Sequence, residues 1–111
     1  MKKILILGTA LLCGFLCRVA AQGVEFRDLT FGQALEQART ENKLVFMDCY
    51  TSWCGPCKNM LKNVFTLPEA GEFMNAHFVC VKYDMEKGEG IGLKKQFAVR
   101  AFPTFFIIRP D

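Results

Sequence analysis

Between residues 44 and 50 the chain reads Leu44-Val45-Phe46-Met47-Asp48-Cys49-Tyr50, apolar at six of seven positions and without alternation. A continuous apolar run of this length fits a strand covered on both faces, as at the centre of an α/β sheet. Asp48 is the one residue that breaks it. Two more stretches have strand character: His77 to Asp84, built on Phe78-Val79-Cys80-Val81, and Phe105-Phe106-Ile107-Ile108, which follows the turn Ala101-Phe102-Pro103-Thr104. His77 is expected at the exposed start of its strand, and the Phe-rich stretch from Phe102 to Ile108 is read as core. Val24 to Arg27 alternates apolar and polar residues and predicts a short edge strand.

Helical spacing fills the gaps. Phe31, Ala34, Leu35 and Ala38 fall at i, i+3, i+4 and i+7, behind a capping box formed by Thr30 and Gln33. Glu41-Asn42-Lys43 ends that helix. Cys57, Met60, Leu61 and Val64 repeat at the same spacing, and Pro56 sits near the helix start, where its missing N–H costs nothing. Thr66-Leu67-Pro68-Glu69 interrupts the run and resembles a second capping box, with a short helix through Phe73 and Met74 behind it. Glu86 to Gly92 holds three glycines and is read as a loop. Leu93 and Phe97 then mark a brief helix. The predicted order is β-α-β-α-α-β-α-β, and the crossover from Tyr50 to Phe78 is long enough to join parallel strands through a helix.

Composition narrows the class. The chain has 111 residues, 51% hydrophobic and 23% charged, which fits one folded domain and excludes a disordered chain. The net charge of +3 comes entirely from Lys2, Lys3 and Arg18. The remainder is neutral, so there is no basic surface for nucleic acid and no polybasic membrane patch. Residues 1–21 read as a signal peptide: Lys2-Lys3, then the apolar Ile4 to Leu16, then Val19-Ala20-Ala21 before a cleavage point at Gln22. An uncleaved anchor is the alternative, and would be the chain's one membrane contact. The run is short for a span, and Arg18 interrupts it. A lipid anchor on Cys13 or Cys17 fits poorly, because a bulky leucine precedes each. The expected mature domain, 22–111, is thus secreted across the inner membrane into the periplasm, where disulfides persist.

The chemistry gathers at Trp53-Cys54-Gly55-Pro56-Cys57-Lys58, between a strand and a helix. Two thiols two residues apart in this setting suit exchange with disulfides. At the helix N-terminus Cys54 faces unpaired N–H groups that favour its thiolate, so it is the expected attacking sulfur. Cys57, one turn further in and less accessible, is expected to resolve the mixed disulfide. A zinc site would need a second ligand pair, and Cys49, His77 and Cys80 do not form one. Neither a metal nor a bound cofactor is expected. Cys49 and Cys80 are read as buried inert thiols. Gly88-Glu89-Gly90-Ile91-Gly92 lacks dinucleotide spacing and is no phosphate cradle.

The Trp53–Lys58 segment resembles the active-site motif of the thioredoxin family, and the resemblance extends over nearly all of the mature chain. Phe102-Pro103-Thr104 is similar to the family's cis-proline segment, Asp48 to its buried aspartate and Lys82 to the aspartate's partner lysine. The break at Val64 to Pro68 and the strand end Val81 to Asp84 are similar to secreted thioredoxin-like domains of the kind found at the C-terminus of bacterial transmembrane thiol:disulfide interchange proteins. The resemblance implies a three-layer α/β/α sandwich with a mixed central sheet, here lacking the final strand and C-terminal helix. The sequence is then expected to be a fragment of a longer product or to have its apolar edge covered by a partner chain.

It also implies site roles. Burial raises the pKa of Asp48, so that it could accept the Cys57 proton; a plain ion pair with Lys82 is the alternative. Trp53, Gly55, Pro56, Phe102 and Pro103 are expected to contact substrate, with an extended segment pairing to the Phe102 backbone beside a cis Pro103. Phe102 departs from the smaller aliphatic residue common in the family. The implied function is a thiol:disulfide oxidoreductase that reduces extracytoplasmic protein disulfides and is served by a membrane or periplasmic thiol partner. An oxidase or isomerase of the same fold, and a non-catalytic binding module, are the alternatives.

Overall fold

A computed structural model describes residues 23–111, so the expected signal peptide lies outside the described residues. Helix α1, Phe31–Glu41, begins where its capping box predicts. The Gln33 N–H donates to Thr30 Oγ1 (3.1 Å), and the Thr30 N–H donates to Gln33 Oε1 (3.0 Å). Asn42 closes the helix in the left-handed conformation, φ 57°, which asparagine tolerates. Strand β1, Leu44–Tyr50, follows directly, then helices α2 (Gly55–Asn63) and α3 (Pro68–His77), strand β2 (Phe78–Asp84), helix α4 (Gly90–Gln96) and strand β3 (Thr104–Ile108).

The sheet order is β2-β1-β3, with β1 parallel to β2 and antiparallel to β3. This is the mixed sheet of the expected α/β fold, with helices on both faces. The central place of β1 explains its unbroken apolar run. Val45, Met47 and Cys49 point into one core with Ala34 and Ala38 of α1, Val79 and Val81 of β2, and Leu93 of α4. Phe46 points into the other, with Phe65 and Cys80, against Met60 and Leu61 of α2 and Met74 of α3. Cys49 and Cys80 therefore lie on opposite faces, and both are buried free thiols.

Four local expectations are corrected. Val24–Arg27 forms no strand, only a single parallel bridge from Phe26 to Cys80. Its donors go elsewhere: the Val24 N–H to the Phe65 carbonyl (2.7 Å) and the Glu25 N–H to Asn75 Oδ1 (2.8 Å). Arg27 adds a bidentate pair with Glu41 (2.6 and 2.9 Å), which holds that carboxyl well below the usual carboxylate range. Next, the second capping box does not form. Leu67 caps α3 without a side-chain bond, because Thr66 Oγ1 turns back to donate to the Lys62 carbonyl (2.7 Å). The glycine-rich stretch is shorter as a loop than expected, since α4 already starts at Gly90. A Cβ at Gly90 would collide with the Asp84 backbone carbonyl, so glycine here allows close approach rather than irregularity. Finally, His77 ends α3 instead of opening β2, and its ring lies 4.5 Å from that of Phe73.

Strand β3 is only half core. Phe106 and Ile108 pack on the α1 and α4 side, whereas Phe105 and Ile107 on the other face are 39% and 62% exposed. No described helix is long and apolar enough to cross a membrane.

The two glycines of α4 should respond in opposite ways. Gly90→Ala should lose about 1–3 kcal/mol in urea unfolding, because the colliding atom is backbone. Gly92→Ala, with open space at its Cβ, should be neutral or up to about 1 kcal/mol more stable. Equal responses would contradict the close approach at Gly90.

Candidate active site

The end of β1 feeds Thr51 to Trp53 directly into α2, so the register of the central strand sets where Cys54 stands. Cys54 is the N-cap of α2 and Pro56 lies in the first turn. Its N–H donates to the Thr51 carbonyl (3.3 Å) and its own carbonyl accepts from Lys58 N–H (3.2 Å). Cys54 and Cys57 are joined as a disulfide, with Cα atoms 5.3 Å apart. The Cys57 N–H donates to Cys54 Sγ (3.1 Å), where a side-chain oxygen would serve in an ordinary cap.

The expected difference in accessibility between the two sulfurs is absent in this oxidised state. Both residues are 3% exposed. What distinguishes them is hydrogen bonding: an amide donor at the helix N-terminus points at Cys54 Sγ, an arrangement that stabilises a thiolate on that sulfur.

Asp48 lies on the same face of β1 as Phe46, which packs against α2. Its carboxyl is buried, and no hydrogen bond reaches Oδ1. Burial pushes its pKa up to about 6, and the charge of Lys82 opposes that rise. Lys82 is its in-register neighbour on β2, yet the two form no ion pair within 4 Å. The Lys82 ammonium instead lies 5.2 Å from the centre of the Tyr50 ring. The simple ion pair considered as an alternative role for Asp48 is thus not made.

The surface around the disulfide is open and partly aromatic. Trp53, Gly55 and Pro56 are exposed, and Phe102 and Pro103 are half-buried. The Phe102–Pro103 bond is cis, and the Thr104 hydroxyl donates to the Ala101 carbonyl (2.6 Å) across the turn. Trp53 meets Phe102 edge to face, with centroids 6.0 Å apart, which brings the proline turn beside the dithiol segment.

Two residues at the site escaped the sequence reading. Glu86 accepts from the Trp53 indole N–H at both carboxylate oxygens (3.1 and 3.2 Å). Thr51 is buried with no partner at Oγ1. Neither has a sequence signal, since the Trp53–Glu86 contact spans 33 residues and Thr51 lies in a short turn. Among the described residues no three His, Cys, Asp or Glu side chains converge as metal ligands would.

Comparison with known proteins is consistent with this geometry. The family model Thioredox_DsbH, described as "Protein of unknown function, DUF255", matches residues 10–101. Among solved structures, a candidate disulphide-isomerase from Bacteroides thetaiotaomicron is 48% identical, with a TM-score of 0.72, over 83% of this chain and 76% of that one. Thioredoxin-1 of Drosophila melanogaster is 36% identical over 71 residues, 64% of this chain and 62% of the relative. Thioredoxin-2 of Pyricularia oryzae is 30% identical over 92 residues, 83% of this chain and 50% of the relative. The chain therefore spans between half and two-thirds of the length of these two thioredoxins.

Asp48 should leave a signature in the pH dependence of stability. Because its folded pKa is raised, the folded protein keeps a proton that the unfolded chain loses near pH 4. The stability associated with this group is fully present below about pH 4 and is lost as pH rises through about 6. Urea titrations of the oxidised protein and of Asp48→Asn should show the variant gaining about 2 kcal/mol relative to wild type between pH 4 and 7.5. A constant difference across that window would refute the burial argument. Glu86→Ala should free the indole, shifting Trp53 fluorescence to the red and raising its quenching by acrylamide. An unchanged spectrum would mean the hydrogen bond does not fix the ring.

Proposed function

The chain belongs to the thioredoxin family, and on that footing we propose that it is a thiol:disulfide oxidoreductase working through Cys54 and Cys57. The observation that carries the proposal is the placing of Cys54: N-cap of α2, bonded to Cys57, with the Cys57 amide aimed at its sulfur. In the reduced protein the Cys54 thiolate attacks a substrate disulfide. One substrate sulfur leaves as a thiolate, and the other stays in a mixed disulfide with Cys54. Asp48, ionised above its raised pKa, takes the proton of Cys57. The Cys57 thiolate then attacks Cys54 Sγ and expels the second substrate sulfur. Two electrons have moved to the substrate, and the Cys54–Cys57 disulfide is restored. Trp53, Gly55, Pro56 and the Phe102–Pro103 turn form the surface on which an extended substrate segment lies.

We assign the direction as reduction, of disulfides in extracytoplasmic proteins. The Gly55-Pro56 pair between the cysteines supports a reductant, and the signal-like residues 1–21 support export to the periplasm, with the signal cleaved before Gln22. A thiol-redox partner in the membrane or periplasm would then return the pair to the dithiol. The likeness to the Bacteroides protein described as a candidate disulphide-isomerase favours isomerisation as a second reading.

Cys57→Ser should accumulate mixed disulfides through Cys54 in cells, and Cys54→Ser should accumulate none. The absence of adducts in the first variant would refute the exchange role. Equilibration with glutathione separates the two directions. A reductant should poise near about −270 mV, and an isomerase near about −180 mV.

A further inference from the structure

Asp48 and Lys82 face each other across the β1–β2 ladder, with opposite charges and no contact. Their separation has a visible cause. Tyr50 is two residues along β1 from Asp48 and so on the same face. Its ring lies under the Lys82 ammonium at 5.2 Å from the centroid, within the range of a cation–π attraction. Lys82 and Tyr50 are both only half-buried, so this position leaves the ammonium partly hydrated. Moving it down onto Asp48 would strip that water from it.

We propose that Tyr50 is a positioning residue: its ring holds the Lys82 ammonium off the Asp48 carboxylate and leaves the buried acid without a partner. Among the described residues, the neighbours of Asp48 leave Lys82 as the only cation in place to act on it. From β2 the in-register residue is Lys82, and from β3 it is Phe105, which carries no charge. From α2 the buried residue is Cys57, oxidised and uncharged. Further along the same face Asp84 is in register with Tyr50, and its Oδ1 accepts the Glu86 N–H (2.9 Å). An acid at that end draws Lys82 in the same direction as the ring does.

The consequence for catalysis rests on the oxidoreductase reading; the positioning itself does not. With Lys82 held away, Asp48 remains a base of near-neutral strength, suited to accept a thiol proton. With Lys82 closed onto it, Asp48 would be a weaker base, ionised at all working pH.

The test is a carbon-detected NMR titration of the Asp48 carboxyl in the oxidised protein. In Tyr50→Leu the midpoint should fall by about one pH unit or more, as expected for a carboxylate gaining a close cation. Tyr50→Phe, which keeps the ring, should leave it in place. In a Lys82→Gln background, Tyr50→Leu should produce no fall. If Tyr50→Leu does not fold, replacing Tyr50 with a ring-fluorinated phenylalanine weakens the ring's attraction at nearly constant shape and should shift the midpoint the same way. A midpoint that stays or rises in folded Tyr50→Leu or in the fluorinated variant, or that falls equally without Lys82, overturns the proposal. In parallel, the rising limb of the exchange rate against pH should move down with the carboxyl in Tyr50→Leu. A carboxyl that moves while the rate profile stays upholds the positioning and counts instead against Asp48 as the base.

Discussion

A carboxylate sits in the middle of a strand that is buried on both faces, and the surrounding structure is shaped by that constraint. The strand cannot lie at an edge, because its alternate residues must enter two separate cores. Val45, Met47 and Cys49 fill one, and Phe46 fills the other. This double burial fixes the register: a slip of one residue would turn every side chain to the opposite core and carry Asp48 away from α2. Since only Thr51 to Cys54 separate β1 from α2, the same register also places the disulfide. Packing of the central strand and position of the Cys54–Cys57 disulfide are therefore one problem with one solution.

The ends of the β1–β2 pair show how the charge is managed. Toward the N-terminal end the face is aromatic, with the Phe46 ring against those of Phe65, Phe78 and Phe105. Toward the C-terminal end it becomes polar in steps, from Asp48 and Lys82 to Tyr50 and Asp84. Asp48 stands at the boundary, deep enough for burial to raise its pKa and near enough to the polar end for a cation to oppose the rise.

What the sequence disclosed was what is encoded within a few residues. The capping box at Thr30 and Gln33 closes over four positions, and the apolar run of β1 carries its own signature of double burial. The dithiol motif is equally compact. Strand alternation was enough to set Cys49 and Cys80 apart. The features that stayed hidden depend on distant partners. Val24–Arg27 alternates like a strand, but its amides are taken by Phe65 and Asn75. Gly90 reads as loop until the Asp84 carbonyl is seen beside it. Lys82 could be matched to Asp48 by resemblance, yet the direction of its ammonium depends on Tyr50, and nothing in the spacing of the three residues reveals that.

The two sulfurs lie almost wholly beneath the surface while Trp53, Gly55 and Pro56 stand above it. Displacement at a disulfide requires the incoming sulfur to approach nearly along the axis of the bond that breaks. Above a recessed bond, that line of approach is a narrow cone. A cysteine held rigidly in the flat face of a folded protein cannot enter it, whereas one on a slender, yielding segment can. For the exchange role proposed above, the recess thus acts as a filter on conformation: it admits partner thiols carried on unfolded or yielding segments and shuts out those already enclosed in finished structure.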